Sequence, residues 1–352
     1  MRQMLVVVIV LQFLSAVFLA YPTWRLTSWL GSPALVVGLL TALMFFSQLI
    51  VRFVLRRRTE PWVRLVRQCA DSILGVAPVL LVVTLVLEGA IGFGFIAPQS
   101  GAMTGLGVCL LAGVWAFRNG WRPRVVEVEV PSGKVDQPVS FVQISDVHIG
   151  SRSGDFLQAV MAKVVAIDPD FLCITGDLID ETDVQEHQLG ALASFKKPIY
   201  FCSGNHEHYE DWPEIRVRLQ RLGVQILRGA VVNHDEIQVL GFDDHSAPDF
   251  LRSALAELEI APDRFSLLLF HRPLGLQHAA DHGIDLQISG HTHNGQIKPF
   301  HWLVKTQFDY LKGMHHERDT RLYVNEGTGT WGPVMRLGTR SEITSFRIVP
   351  SG

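Results

Sequence analysis

Acidic, histidine and asparagine residues recur in short clusters between residues 146 and 293. Each cluster follows a short apolar run, at the point where a strand would end. The clusters are Asp146-Val-His148, Gly176-Asp177-Leu-Ile-Asp180, Gly204-Asn205-His206-Glu207, His271, and Gly290-His291-Thr-His293. Carboxylate, imidazole and amide groups together suit divalent metals such as Mn, Fe or Zn. The residue types therefore predict a metal site.

The spacing within the clusters suits ligands that share an ion. Because residues i and i+2 of an extended chain point to the same side, Asp146 and His148 can reach one ion, and so can His291 and His293. The clusters together offer more groups than one ion needs. They fit two ions about 3.5–4 Å apart that share a carboxylate, as in many phosphoesterases. One such pair alone would be weak evidence, but five clusters in register are hard to explain as ordinary surface or core residues.

The elements that must position these residues are predicted by the pattern after residue 124. Nine short strands are predicted, at 125–130, 139–145, 171–175, 199–203, 237–242, 265–270, 284–289, 322–325 and 343–348. Helices are predicted between them at 156–167, 184–195, 212–222 and 250–258. This alternation is typical of an α/β layered fold. In open α/β sheets the ligand crevice lies outside the carboxyl ends of the strands, so the clusters are expected to face one crevice.

The order D-x-H, G-D-x-x-D, G-N-H-E, H and G-H-x-H resembles the signature of the calcineurin-like metallophosphoesterases. A closer resemblance is to their membrane-anchored and cell-envelope subgroup, often called YkuE/YaeI-like. It is carried by Asp168-Pro-Asp-Phe171, Gly290-His-Thr-His-Asn-Gly-Gln-Ile297 and Gly329-Thr-Trp-Gly-Pro-Val-Met-Arg-Leu-Gly338. The resemblance implies a four-layer catalytic domain over residues 125–352, with two β-sheets flanked by helices.

The resemblance also implies which residues bind metal. One ion would bind Asp146, His148, Asp177 and His293. The second ion would bind Asp177, Asn205, His271 and His291. Asp177 would thus bridge the two divalent ions, and the nucleophile would be a metal-bound hydroxide.

A catalytic role is implied for His206, which would not bind metal. It would donate a proton or a hydrogen bond to the ester oxygen, and Asp180 would orient it. A carboxylate partner holds an imidazole in one tautomer and favours its cationic form.

Two positions depart from the family's patterns. Protein serine/threonine phosphatases have Arg after the second Asp of G-D-x-x-D, where this chain has Glu181. The difference argues against a phosphoprotein substrate. Asn294 replaces the first Gly of the subgroup's usual G-H-T-H-G-G-Q, so we expect the local loop shape and the substrate contact to differ there, but none of the implied ligands.

Residues 1–124 differ sharply in composition from the rest. They contain eleven Arg, no Lys and three acidic residues, a net charge of +8, whereas residues 125–352 carry −11 and all fourteen histidines. Four apolar runs, at 4–20, 34–51, 73–96 and 102–117, predict an all-α transmembrane region, since a spanning helix needs about 20 apolar residues. The third and fourth runs are short or interrupted and could be core helices of a soluble domain. The first could be a signal peptide.

The arginines predict the orientation of the chain. With four spans, ten arginines fall on one side and only Arg25 on the other. The positive-inside bias places the ten, and the domain after residue 124, in the cytoplasm. We therefore expect a multi-pass protein of the cell (inner) membrane that contacts the lipid bilayer. The near-neutral net charge of −3 gives no reason to expect nucleic-acid binding.

These features predict a membrane-bound, two-metal phosphoesterase. It would hydrolyse a phosphodiester or pyrophosphate bond, in a lipid-linked substrate at the cytoplasmic face. Relatives by family include enzymes that cleave the pyrophosphate of a UDP-linked diacyl-glucosamine lipid precursor. Two alternatives stay open: a phosphodiesterase for small soluble substrates that uses its helices only for location, and a non-catalytic membrane receptor or scaffold. The sequence indicates no oligomeric state.

Residues 298–312 follow the last histidine cluster and mix aromatic residues with three lysines. This composition suits contact with a lipid chain and an anionic head group. The alternative is that the aromatic side chains pack beneath a long loop as a small core.

Overall fold

The structure is a computed structural model that describes residues 2–55, 60–181 and 184–351. The chain divides into two compact units. The first comprises residues 1–118 and Gly332–Leu337, and the second comprises Asn119–Trp331 and Gly338–Gly352. The division lies a few residues before the domain boundary predicted at 124.

The first unit contains long apolar helices. These are α1 (Arg2–Ser15), α2 (Tyr21–Trp29), α3 (Ala34–Leu49), α4 (Pro61–Gly92) and α5 (Pro98–Trp121), with π-helical turns at Ala16–Ala20 and Ile50–Val54. Four stretches are long and apolar enough to cross a membrane: Leu5–Trp29, Ala34–Val54, Leu65–Gly92 and Pro98–Trp121. Four apolar helices were expected, and the described residues contain them.

The third span lies earlier in the chain than the predicted 73–96. Helix α4 continues through Glu88, whose carboxylate accepts a hydrogen bond from Tyr21 and pairs with Arg25 at 2.6 Å. The helix ends at Gly92 because Gly94 adopts a φ of +75°, and the N–H groups of Gly94 and Phe95 donate to carbonyls of the last helical turn. A left-handed glycine with these two bonds is a common helix C-terminus.

The second unit contains two six-stranded sheets. The first has the order β1-β12-β2-β3-β4-β5, and the second has the order β10-β11-β9-β8-β7-β6. The strands of the first half of the unit are β1 (Arg124–Ser132), β2 (Val139–Ile144), β3 (Phe171–Thr175), β4 (Ile199–Cys202), β5 (Val224–Ile226) and β6 (Ala230–His234). The others are β7 (Ile237–Gly241), β8 (Phe265–Leu269), β9 (Leu286–Ser289), β10 (Gly313–Glu317), β11 (Thr320–Val324) and β12 (Glu342–Pro350).

Short helices connect the strands and cover both sheets. They are α6 (Gly154–Ile167), α7 (Glu186–Leu189), α8 (Asn205–Tyr209), α9 (Trp212–Arg221), α10 (Phe250–Ala256), α11 (Leu276–Asp281) and α12 (His301–Lys305). Helices α6 and α9 bury their apolar side chains against the first sheet, and α10 and α11 bury theirs against the second. A third core, which includes the stacked rings of Phe141, Phe171 and Phe346, fills the space between the sheets. The predicted four-layer arrangement is confirmed.

All nine predicted strands are present, and three further strands were missed. Strands β6 and β10 are edge strands of half-buried residues, and β5 is only three residues long. Their short or weakly apolar sequences give little alternation to recognise. The inner strands β2, β3, β4, β8 and β9, which precede the polar clusters, are fully buried apart from one half-buried residue in β2, and they coincide closely with the predictions.

Candidate metal centre

The strand ends of the second unit bring the predicted ligands together. Strands β2, β3 and β4 run parallel in the first sheet, as do β8 and β9 in the second. Three groups of side chains have ligand atoms within 4.8 Å of one another: Asp146, His148 and His293; Asp177, His271 and His291; and His148, Asp177 and His206. Asp177 and His148 each belong to two of these groups, so the clusters form one continuous centre.

The first group is almost completely buried. His293 Nε2 lies 3.2 Å from Asp146 Oδ1 and 3.1 Å from His148 Nε2. Ser145 donates a hydrogen bond to the other Asp146 oxygen at 2.6 Å, which fixes the plane of the carboxylate. Two imidazole nitrogens and a carboxylate oxygen thus face one point.

The second group has a similar arrangement: Asp177 follows β3 of the first sheet, and His271 and His291 follow β8 and β9 of the second. His271 Nε2 lies 3.2 Å from Asp177 Oδ2 and 3.1 Å from His291 Nδ1. His271 Nδ1 donates to the Thr175 carbonyl at 2.7 Å. This bond keeps a hydrogen on Nδ1, so Nε2, which faces the group, is the nitrogen that can bind a metal once its own proton is lost.

Asn205 provides an independent test of whether a cation fits here. Its Oδ1 atom is buried and accepts no hydrogen bond from the part of the chain that the structure describes. The next residue, His206, donates its backbone N–H to Asp177 Oδ1 at 2.8 Å, so Asn205 lies at the Asp177 side of the centre. Buried polar oxygens are nearly always paired. An unpaired amide oxygen beside converging carboxylate and imidazole groups fits a divalent metal.

The backbone at the site is held in an uncommon conformation. Five predicted ligands have a positive φ: Asp146 at 55°, His148 at 57°, Asp177 at 50°, His291 at 70° and His293 at 47°. Non-glycine residues seldom adopt this region, and such strain concentrates at functional sites. Close approach also explains the glycine at position 290, where a Cβ atom would collide with Ser145 Oγ and the Asp146 carboxylate.

His206 lies beside the centre, but its contacts differ from those predicted. Its ring lies 4.8 Å from that of His148 and close to the rings of Tyr209 and Trp331. Asp180 accepts hydrogen bonds from Ser151 and lies 3.5 Å from His148 Nδ1. Within the described residues no hydrogen bond joins Asp180 to His206. The predicted orienting pair is therefore absent, and Asp180 instead contacts a predicted metal ligand.

Comparison with known proteins identifies the family. The family model for calcineurin-like phosphoesterases matches residues 139–295. An uncharacterized metallophosphoesterase of Helicobacter pylori (strain ATCC 700392 / 26695) is 32% identical over 267 residues, which cover 70% of each chain. The chain belongs to the calcineurin-like phosphoesterases.

Two other relatives extend the similarity to membrane proteins and to the predicted subgroup. A transmembrane protein with a metallophosphoesterase domain from Danio rerio is 30% identical, over 64% of this chain and 57% of the relative. The metallophosphoesterase YkuE of Bacillus subtilis is 31% identical, over 59% of this chain and 78% of the relative. With its four stretches that are long and apolar enough to cross a membrane, this calcineurin-like phosphoesterase has the features of a membrane protein and of a metal-dependent phosphohydrolase, as predicted.

Glu207 is a site residue that sequence reasoning missed. Its fully buried carboxylate accepts hydrogen bonds from the backbone N–H groups of Asp177, Leu178, Ile179 and Gly204, at 2.7–3.0 Å. Glu207 therefore ties the loop after β3 to the loop after β4 and holds Asp177 in place. Burial, and then the charge of Asp177, raise the pKa of Glu207 to about 7, against the effect of the N–H donors. The position of Glu207 in the G-N-H-E motif could have identified it as a site residue.

The charges of the calcineurin-like centre offset one another. Burial opposes the ionised form of Asp146 and Asp177, but the neighbouring imidazoles of His293 and His271 hold the pKa of both carboxyls below the usual range. Burial also opposes the charge on His271, but Asp177 raises its pKa to about 10. Burial lowers the pKa of His291 to about 3. A metal that binds His271 must therefore displace a proton.

The pKa of His206 is lowered, mainly by partial burial, although the charge of Asp177 acts in the opposite direction. The neutral imidazole is thus favoured, in contrast to the cationic form expected from a carboxylate partner. A neutral imidazole still carries one N–H group that can donate to an ester oxygen.

Asn294, the departure from the subgroup pattern, is a buried loop residue. Its backbone φ is 49°, and its side chain donates a hydrogen bond to Glu326 at 3.0 Å. A left-handed φ is easiest for glycine and next for asparagine. Asn294 therefore retains the loop shape that the usual glycine would allow.

Proposed function

We propose that this calcineurin-like phosphoesterase holds two divalent metal ions and hydrolyses a phosphodiester or pyrophosphate bond in a lipid-linked substrate at the cytoplasmic face of the membrane. The observation that carries the two-metal proposal is the pair of ligand groups joined through Asp177 and His148. One ion would be held by Asp146, His148, Asp177 and His293, and the other by Asp177, Asn205, His271 and His291. The ions would supply positive charge to the phosphoryl oxygens and lower the pKa of the attacking water.

The residues of the chain would act around these ions. Asp177 can bridge because it has a ligand atom within 4.8 Å of one on His148, and likewise within 4.8 Å of those on His271 and His291. The His206 ring stands at the rim of the centre, where it would donate a hydrogen bond to the leaving-group oxygen. Glu207 would keep Asp177 in position without touching the substrate.

The segment after the last histidine cluster supports an amphiphilic substrate. Trp302 and Leu303 on α12 are 69% and 63% exposed, so they are not part of a core. Phe308 places its ring 5.1 Å from that of His291, so the segment reaches the metal centre. Tyr310, in contrast, packs against buried Leu276, Leu322 and Val324. Exposed apolar side chains in a segment that also reaches the metal centre suit a lipid tail attached to a phosphate head group.

The proposed orientation rests on the distribution of arginine residues. Arg52 pairs with Asp71, and Arg67 donates to the Leu55 carbonyl. Arg56, Arg57 and Arg58 carry much of the predicted bias and lie outside the described residues. The positive-inside bias favours a cytoplasmic location for all of them.

A substrate comparison tests the proposal. The purified full chain is incubated with membrane lipid extracts and with small soluble phosphodiesters, and the products are identified by mass spectrometry. Metal-dependent loss of a phosphate-linked lipid is expected. Hydrolysis confined to soluble diesters would favour the alternative in which the helices only locate the enzyme. No hydrolysis by a metal-loaded, folded protein would favour a receptor or scaffold.

A further inference from the structure

Arg272 is held rigidly at the edge of the metal centre. It follows His271 directly after β8, and its Nε atom donates to both carboxylate oxygens of Asp244, at 2.8 and 3.1 Å. The two side chains are only 15% and 7% exposed. A guanidinium group has five N–H donors in a fixed plane. Asp244 engages the Nε donor and thereby sets the direction of the remaining ones.

One of these remaining donors faces a predicted metal ligand. Arg272 Nη1 lies 3.3 Å from Nε2 of His291, whose other nitrogen, Nδ1, faces His271. If His291 binds metal through Nδ1, the ring hydrogen lies on Nε2, and Arg272 cannot donate to it. A direct Arg272–His291 hydrogen bond would put the hydrogen on Nδ1 and remove the ligand. In the metal-bound state, therefore, an N–H group of Arg272 and the Nε2–H of His291 lie side by side, and both are donors.

Two adjacent donors, one of them cationic, bind an anionic oxygen that accepts from both. The planar fork of arginine matches phosphoryl groups particularly well. An oxygen bound by Arg272 and by the His291 Nε2–H would be separated from the ligand atoms of His271 and Asp177 by the width of the His291 ring. An oxygen bound at Arg272 is therefore displaced from the phosphorus atom that reacts at the metals.

We propose that Arg272, with the Nε2–H of His291, binds the phosphoryl group next to the reacting one, so that the substrate is a diphosphate (pyrophosphate) diester rather than a simple phosphodiester. This inference rests on the proposed two-metal function and narrows its substrate class. Arg272 contacts the substrate in this proposal and determines specificity. Asp244 is a positioning residue that acts through Arg272.

Binding of inert analogues tests the inference without turnover. A methylene-bridged diphosphonate diester and the monophosphonate ester with the same substituents are titrated calorimetrically into the metal-loaded full chain. The wild-type protein should bind the diphosphonate at least about tenfold more tightly, because its second phosphoryl group gains hydrogen bonds from a charged donor. Arg272→Gln should remove most of this preference and keep its metal. Asp244→Asn should weaken the preference in the same direction.

Arg228→Gln is the matched control, because Arg228 pairs with Asp243, the neighbour of Asp244, at 2.6 Å. It should leave the preference unchanged. Kinetics with hydrolysable esters provide a second measurement: Arg272→Gln should lower kcat/KM for the diphosphate ester at least about tenfold more than for the monophosphate ester.

Equal losses for both esters, loss of metal from Arg272→Gln, or a wild-type protein without the preference would overturn the inference. A wild-type protein that binds two metals and cleaves simple diesters without the preference would leave the two-metal function intact. A wild-type protein that neither binds metal nor hydrolyses any ester would defeat the proposed function itself.

Discussion

The helical unit and the metal centre of the α/β unit differ in how their charged groups are satisfied. In the helical unit the charges pair with each other: Glu88 with Arg25, and Asp71 with Arg52. In the α/β unit carboxylate, imidazole and amide groups converge, and at least one buried oxygen, Asn205 Oδ1, has no donor among the described residues. A carboxylate paired with an arginine has its charge offset within the protein. Carboxylate, imidazole and amide atoms with unshared lone pairs can instead bind a cation. The comparison places the candidate metal chemistry in the α/β unit, whereas the helical unit contains the stretches long and apolar enough to cross a membrane.

The largest effect is expected when the Asp177 carboxylate, which lies between the two ligand groups, is removed. Asp177→Ala should nearly abolish turnover and lower the metal content toward one ion or none, because a bridging carboxylate also offsets repulsion between two cations. Metal content is measured by plasma emission spectrometry on the purified protein. Asp71→Ala in the helical unit is the matched control and should keep the metal content of the wild type. Two ions and a near-normal rate in Asp177→Ala would refute the bridging role.

A smaller loss of turnover is expected when His206, at the rim of the centre, is replaced. His206→Ala should keep both metals but lower kcat by about 10²–10⁴, the usual contribution of a group that assists proton transfer. The defect should shrink for esters with weakly basic leaving groups, which need little assistance. A series of aryl esters measures this dependence. The same defect across the series would argue against a role at the leaving group.

A still smaller effect, which depends on the substrate, is expected in residues 298–312 if their exposed aromatic side chains contact a lipid-linked substrate. Trp302→Ala should raise KM for a lipid-linked substrate by about 3–30-fold, the loss expected from part of a buried aromatic contact. Hydrolysis of a small soluble diester should change little. Phe308→Ala should affect both substrates because its ring contacts His291. Equal effects of Trp302→Ala on both substrates, or a large loss of stability, would show that Trp302 is a packing residue.

The smallest effect on the chemistry should come from the helical unit. A reporter active only in the cytoplasm, fused after Gly352, should be active in the intact chain. Replacing Arg52 and Arg67 by neutral residues should weaken this preference without changing the kcat of the purified protein. An external C-terminus in the unmodified chain would overturn the proposed orientation.

The sequence predicted the residues of the site better than it predicted the contacts between them. The convergence of candidate ligands such as Asp146, Asp177 and His271 could be predicted because each follows a buried strand within two residues, and strand ends of parallel sheets converge. The Asp180–His206 pair could not be tested by spacing alone, because the contact depends on loop geometry after β3 and β4. The role of Glu207 could not be predicted, because it depends on contacts between loops that are far apart in sequence. The same is true of the pairing of Arg272 with Asp244. In the helical unit, composition predicted the number of spans, but the end of α4 depended on Gly94 and on the pairing of Glu88.

The most direct test of the central claim combines metal content and hydrolysis in one preparation of the full chain in lipid nanodiscs. Two divalent ions per chain are expected, together with hydrolysis of an aryl phosphodiester that disappears on chelation and returns when Mn or Zn is restored. A folded chain that binds no stoichiometric metal, or that hydrolyses the ester equally well after the metal is removed, would contradict the assignment of a two-metal phosphoesterase centre.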